Sequence, residues 1–186
     1  MYKKLCLLVL IVLSAAVIGC GKKENAPTTE GKSKTTFQYS ESITASDIPD
    51  IPVKGFIGGK PVEIIYINFE TWRGSNDNVI NFSTKQPKQP CGNVVNDTAF
   101  SLTRLAKDFN QGEFIKSSFT SNIDGYIGNY HTYKEDEARK FSGSWNCALI
   151  LTEINDNTVK GKIAMCFKDS LKSWIAGTFE AKRCNN

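Results

Sequence analysis

From Ile51 to the C-terminus the chain never sustains a helical period for long. Short runs rich in Val, Ile, Phe, Tyr and Thr alternate with turn clusters at Gly58 and Gly59, 74–78, 122–125 and 155–158. An amphipathic helix needs apolar residues recurring every three to four positions over ten or more residues, whereas a strand needs only a handful in alternation. The punctuation therefore predicts an all-β domain, an antiparallel β-sandwich or a small β-barrel. Strands are expected near 52–57, 62–72, 79–83, 113–119, 126–133, 141–154, 159–167 and 174–182. The segment 99–109 fits two patterns: Leu102, Leu105, Ala106 and Phe109 suit a helical face, while Phe100, Leu102 and Ala106 suit alternation. Strand is favoured there, with one short helix as the alternative.

The six cysteines add a covalent constraint. Cys6 and Cys20 lie near the N-terminus, leaving Cys91, Cys147, Cys166 and Cys184 in the domain. Their wide spacing lacks the close pairs of structural zinc sites, and an even count in an exported domain points to two disulfides. Hairpin geometry selects the pairing. A loop at 155–158 sets Ile154 beside Val159, Glu153 beside Lys160 and Ile150 beside Ile163, and the same register brings Cys147 opposite Cys166. Cys91 and Cys184 are then left to each other.

The N-terminus explains why an exported domain is expected. Lys3 and Lys4 precede an apolar run from Leu5 to Ile18, followed by Gly19 and Cys20. That is the layout of a secretory signal, and about 14 apolar residues are too few to span a bilayer as a helix. Val17, Ile18, Gly19 and Cys20 resemble the lipobox of bacterial lipoproteins. The resemblance implies removal of residues 1–19, lipidation of Cys20 and firm attachment to a membrane, since two or three acyl chains anchor far more strongly than one. Gly21 follows the cysteine, and the Asp that retains many such proteins in the inner membrane is absent. The resemblance thus implies the outer membrane or the cell surface. Residues 20–44, rich in Lys, Glu, Thr, Ser and Gly with Phe37 and Tyr39 as the only aromatics, read as a lipidated, flexible tether, and 45–186 as the domain.

Charge narrows the partners. Of 23 basic and 19 acidic residues, 17 and 16 fall from Ala45 onward, which leaves the domain nearly neutral. A chain that neutralises phosphates carries a basic footprint, so nucleic acid is not an expected partner. Gly55, Gly58, Gly59 and Lys60 superficially suggest a phosphate loop, but Pro61 stands where Ser or Thr would hold magnesium, and a hairpin turn fits better. Glu135, Asp136 and Glu137, flanked by Lys134, Arg139 and Lys140, read as a solvated loop rather than a calcium site. His131 is the only histidine, and no nucleophile motif accompanies it.

No catalytic, metal or cofactor site is expected. Tyr126 and Tyr130 share a strand parity and are the candidates for an exposed binding face, because Tyr and Trp dominate protein contacts. The leading expectation is a non-enzymatic envelope lipoprotein whose β domain binds another envelope component or serves a structural role. The alternatives are a carrier of an apolar ligand, an inhibitor of a hydrolase and, behind these, a hydrolase with unrecognised carboxylates.

Overall fold

The structure, a computed structural model, describes residues 34–135 and 137–184. The expected signal segment, Cys20 and the first part of the expected tether lie outside the described residues. A 3-10 turn at Ala45–Asp47 precedes eleven strands: β1 (Lys54–Ile57), β2 (Lys60–Glu63), β3 (Tyr66–Trp72), β4 (Asp77–Ser83), β5 (Ala99–Arg104), β6 (Gly112–Lys116), β7 (Tyr126–Lys134), β8 (Glu137–Phe141), β9 (Trp145–Ile154), β10 (Thr158–Phe167) and β11 (Trp174–Cys184). The all-β expectation holds. The strands form one curled sheet, a half-barrel, in the order β6-β9-β10-β11-β3-β4-β5-β7-β8, with the β1–β2 hairpin joined to β11.

All pairings are antiparallel except β11 with β3, which run parallel over Lys182–Cys184 and Asn68–Glu70. One edge of β11 is thus shared, taking β1 at its start and β3 at its end. The ambiguous segment is a strand through Arg104; Ala106 then adopts φ 47°, which ends the pairing, and Phe109 still returns to the core at 4 % exposure. The expected run 62–72 is two strands broken at Ile64 and Ile65, and 141–154 joins the end of β8 to β9.

Alternation along the strands sends large side chains to the concave side. Phe82, Phe100, Leu102, Leu149, Ile163, Phe167 and Ile175 are essentially inaccessible there. Complete burial of such a side chain contributes about 1.5–3 kcal/mol, so this layer is the main source of stability. Tyr126 and Tyr130 lie within it rather than together on an exposed face, although Tyr130 reaches the floor of a surface recess. Tyr130 is 8 % exposed and stacks on Phe141 at 5.1 Å, while Tyr126 packs edge-on to Phe109 at 5.8 Å. Between them Gly128 has no room for a side chain: a Cβ would lie 2.1 Å from Met165 Cε and 2.8 Å from the Trp145 ring.

The convex side of β9, β10 and β11 has its own small core. Ala148, Ala164 and Ala176 sit side by side across the three strands. Small side chains make a shallow trough, and the chain N-terminal to β1 lies in it: Ile43 and Ile48 are buried, while Phe37 and Tyr39 pack beside Trp174 and Phe119. Ile43 N donates to Ser117 O at 2.8 Å. The end of the expected tether is therefore part of the fold. Its two aromatics and Ile43 supply the apolar area that the rest of the segment lacks.

The disulfides correct one expectation. Cys91 and Cys184 are bonded, with Cα atoms 5.6 Å apart, but Cys147 and Cys166 are free and buried. The β9–β10 hairpin starts in the expected register, Ile154 with Val159 and Glu153 with Lys160, and then shifts by one residue at Gly161, which pairs with Leu151. Thr152 is the extra residue, its hydroxyl donating to Lys160 O at 3.2 Å. Beyond this bulge Ile163 pairs with Leu149, Cys147 with Met165 and Cys166 with Asn146. A one-residue slip moves a side chain to the other face. Cys147 accordingly enters the concave core and Cys166 the convex one.

Candidate functional site

A wide recess opens where the curled sheet brings two hairpins face to face. One is β1–β2, turned by Gly58 and Gly59 at φ 58° and 86°, a left-handed pair that glycine adopts freely. The hairpin reading of this glycine-rich segment is therefore correct. The other is β7–β8, in which Lys134 pairs with Glu137 and Tyr130 with Phe141. Between them lies a groove of about 550 Å³. Val62, Tyr130 and Phe141 contribute apolar surface, and Lys60, Lys134 and Arg139 line it with positive charge, while Lys140, paired with His131, borders it from the opposite face of its strand. None of its lining residues is acidic. Lys134 has Glu135 at 4.0 Å, with both side chains largely exposed, a pairing worth little in water.

A chain of hydrogen bonds fixes the floor against one wall. Gly58 N donates to Ser173 Oγ at 3.0 Å, Ser173 N donates to Asp169 Oδ1 at 2.9 Å, and Tyr130 Oη donates to Asp169 Oδ2 at 2.6 Å. Burial first, and then the neighbouring Asp169 carboxylate, push the Tyr130 hydroxyl up to about 12. Burial alone would raise Asp169, but the bonds from Ser173 and Tyr130 outweigh it and hold the carboxyl below its usual range. Tyr130 is thus a fixed, protonated donor. The groove offers charge and apolar surface for recognition.

The other sequence candidates lie elsewhere. His131 sits on the convex face, where burial lowers its pKa, Asp97 opposes that shift and Lys140 adds to it. The imidazole is therefore neutral at neutral pH. Glu135 and Glu137 flank the β7–β8 turn, and Asp136 lies outside the described residues. Among the described residues no three His, Cys, Asp or Glu side chains converge as a metal site. The basic residues Lys134, Arg139 and Lys140 had a sequence signal, since they bracket the acidic triplet. What the sequence did not disclose is that a second hairpin would place Lys60 opposite Lys134 and Arg139. Comparison with known families, curated proteins and solved structures finds no match to this chain.

Proposed function

We propose that this chain is a non-enzymatic lipoprotein of the bacterial envelope, anchored through acylated Cys20 at the outer membrane or cell surface. Its groove binds an extended acidic segment of a partner protein. The observation that carries this reading is the lining: Lys60, Lys134 and Arg139, with no acidic residue, above an aromatic floor. Charge of one sign in a recess raises the local concentration of opposite charge and speeds encounter. Two further features favour an extended chain as the occupant. Both hairpins that wall the groove have an outer strand paired on one side only, β2 with β1 and β8 with β7, and a free edge supplies backbone donors and acceptors to an added strand. The concave interior is filled, with a void of only about 10 Å³ beneath Phe114 and Trp145, which favours the groove over an enclosed apolar ligand site.

Fluorescence anisotropy with a labelled peptide of alternating Glu and Val tests the groove. Binding should weaken as salt is raised, because screening acts on exposed charges. The Lys60→Glu, Arg139→Glu double variant should lose at least about tenfold in affinity, roughly 1.4 kcal/mol. Equal affinity for both proteins would refute the assignment. The anchor is tested by Triton X-114 partitioning, with wild type expected in the detergent phase and Cys20→Ala released from it; wild type in the aqueous phase would refute it.

A further inference from the structure

The convex face of β3, β4, β5 and β7 presents a row of neutral polar side chains beside an exposed tryptophan. Register sets Asn68, Asn81, Ser101 and Asn129 side by side, one on each strand. Neighbouring strands lie about 4.8 Å apart, so the row runs for about 14 Å across the sheet. The adjacent row on the same face is Glu70, Val79, Thr103 and Ile127. Trp72 follows Glu70 on β3, and Leu105 follows Thr103 at the end of β5. Trp72, Leu105 and Ile127 are 47 %, 38 % and 41 % exposed, whereas Val79 and Thr103 between them are buried. Large apolar side chains gathered at the surface of one face mark a contact surface.

Trp72 is fixed by its neighbours. Its Nε1 donates to Glu70 Oε1 at 2.9 Å, and the same oxygen accepts from Asn81 Nδ2 at 3.0 Å. Glu70 Oε2 accepts from Asn68 Nδ2 at 3.3 Å. The single carboxylate of the two rows is thus occupied by three N–H donors, and it turns the indole back along its own strand. No Lys or Arg stands in either row. Three polar groups keep free capacity. Asn81 Oδ1 accepts no bond, Ser101 Oγ donates to Asn129 Oδ1 at 2.9 Å and keeps its own lone pairs, and Asn129 Nδ2 donates to nothing in the chain. Among the described residues Asp97 Oδ2 is the one sealed side-chain polar atom without a partner, so Asn129 Nδ2 and Asn81 Oδ1 are open to solvent.

We propose that this face binds a neutral glycan, a β-1,4-linked chain of pyranose rings in the gluco configuration, with Trp72 as the stacking platform. Such a ring carries its hydroxyls around the edge and axial C–H groups on its faces. The slightly positive C–H groups stack on the negative face of an indole. Hydroxyls both donate and accept, so Asn81 Oδ1 and Ser101 Oγ take their protons while Asn129 Nδ2 supplies one in return. Charge selects a neutral occupant: the rows hold no cation, and their one carboxylate has its hydrogen bonds made. A β-1,4 linkage gives an extended ribbon, which suits a polar row that crosses four strands beside a fixed ring. The site shares no residue with the cationic groove, so it stands or falls independently of the acidic-segment reading.

Saturation-transfer NMR of the full chain with cellotriose and with chitotriose tests the face. The pair distinguishes a plain glycan from an N-acetylated one, and saturable binding of either supports the proposal. Transfer should be strongest to the axial C–H protons, with a dissociation constant in the millimolar range. Trp72→Ala, at an exposed position, should weaken binding at least about tenfold, and Trp72→Tyr, which keeps a stacking face, should weaken it less. Asn129→Asp, of the same shape but without the amide donor, should weaken it about fivefold. Amide shifts on titration should centre on Trp72, Asn81 and Asn129 and spare Lys60 and Arg139. Absence of saturable transfer to both trisaccharides in wild type, shifts confined to the groove hairpins, or wild-type affinity in a folded Trp72→Ala variant would overturn it.

Discussion

Two thiols occupy dry parts of the molecule, Cys147 at 3 % exposure and Cys166 at 0 %. Burial pushes Cys166 up to about 12 and Cys147 higher still, so neither is a thiolate at neutral pH. The thiolate is the reactive form, so neither cysteine should alkylate while the domain is folded. Treatment with N-ethylmaleimide at pH 7.5 should leave both unmodified in the native protein and modify both once it is unfolded without reductant. A Cys147–Cys166 disulfide in the peptide map would contradict the bulge and the register beyond it. This bulge was legible in one residue. Gly161 stands inside a strand, where glycine often marks a bulge or a close backbone approach. A Cβ at that position would lie 2.4 Å from Ile150 O. The hairpin loop and its first two pairs followed from Asn155 to Thr158, whose side chains and backbone close the turn. Everything after Gly161 depended on noticing that glycine.

At the scale of the element, the segment before β1 behaves as a strap. Ile43 is fully buried, and Phe37 and Tyr39 are partly so, over the trough formed by Ala148, Ala164 and Ala176. Lys34 adds an ion pair to Asp47 at 2.8 Å. Taking about 2 kcal/mol for the buried isoleucine and about half as much for each half-covered ring, a chain beginning at residue 45 should lose about 3–4 kcal/mol relative to one beginning at Lys34. Urea titration of the two truncations measures this difference, and equal midpoints would show that the strap contributes nothing. Polar composition concealed the strap, because three apolar residues among many polar ones suffice when the surface beneath is a row of alanines. Such a row is invisible until the strands are in register. The opposite error affected Tyr126 and Tyr130: their shared parity was correct, but alternation alone does not say which face is covered, and the curl of the sheet closed over theirs.

For the whole molecule, the turn clusters made the all-β class legible, since glycine and asparagine punctuation acts locally. They under-counted the eleven strands, because the breaks at Ile64 and Ile65 and between β8 and β9 read as continuous runs. The parallel pairing of β11 with β3 and the branching of β1–β2 from the same edge join residues more than a hundred positions apart, and no local pattern encodes them. The groove exists only because of that branching, which sets Lys60 across from Lys134 and Arg139. For this reason a nearly neutral domain still carries a cationic recess. Amide hydrogen exchange with and without the Glu-Val peptide tests the groove most directly, because it reports where the chain is held as well as whether it is. Added protection is expected along Lys60–Glu63 and Glu137–Phe141, with little change along the β6 edge at Gly112–Lys116. Protection concentrated at β6, or none on either groove hairpin at saturating peptide, would contradict the account.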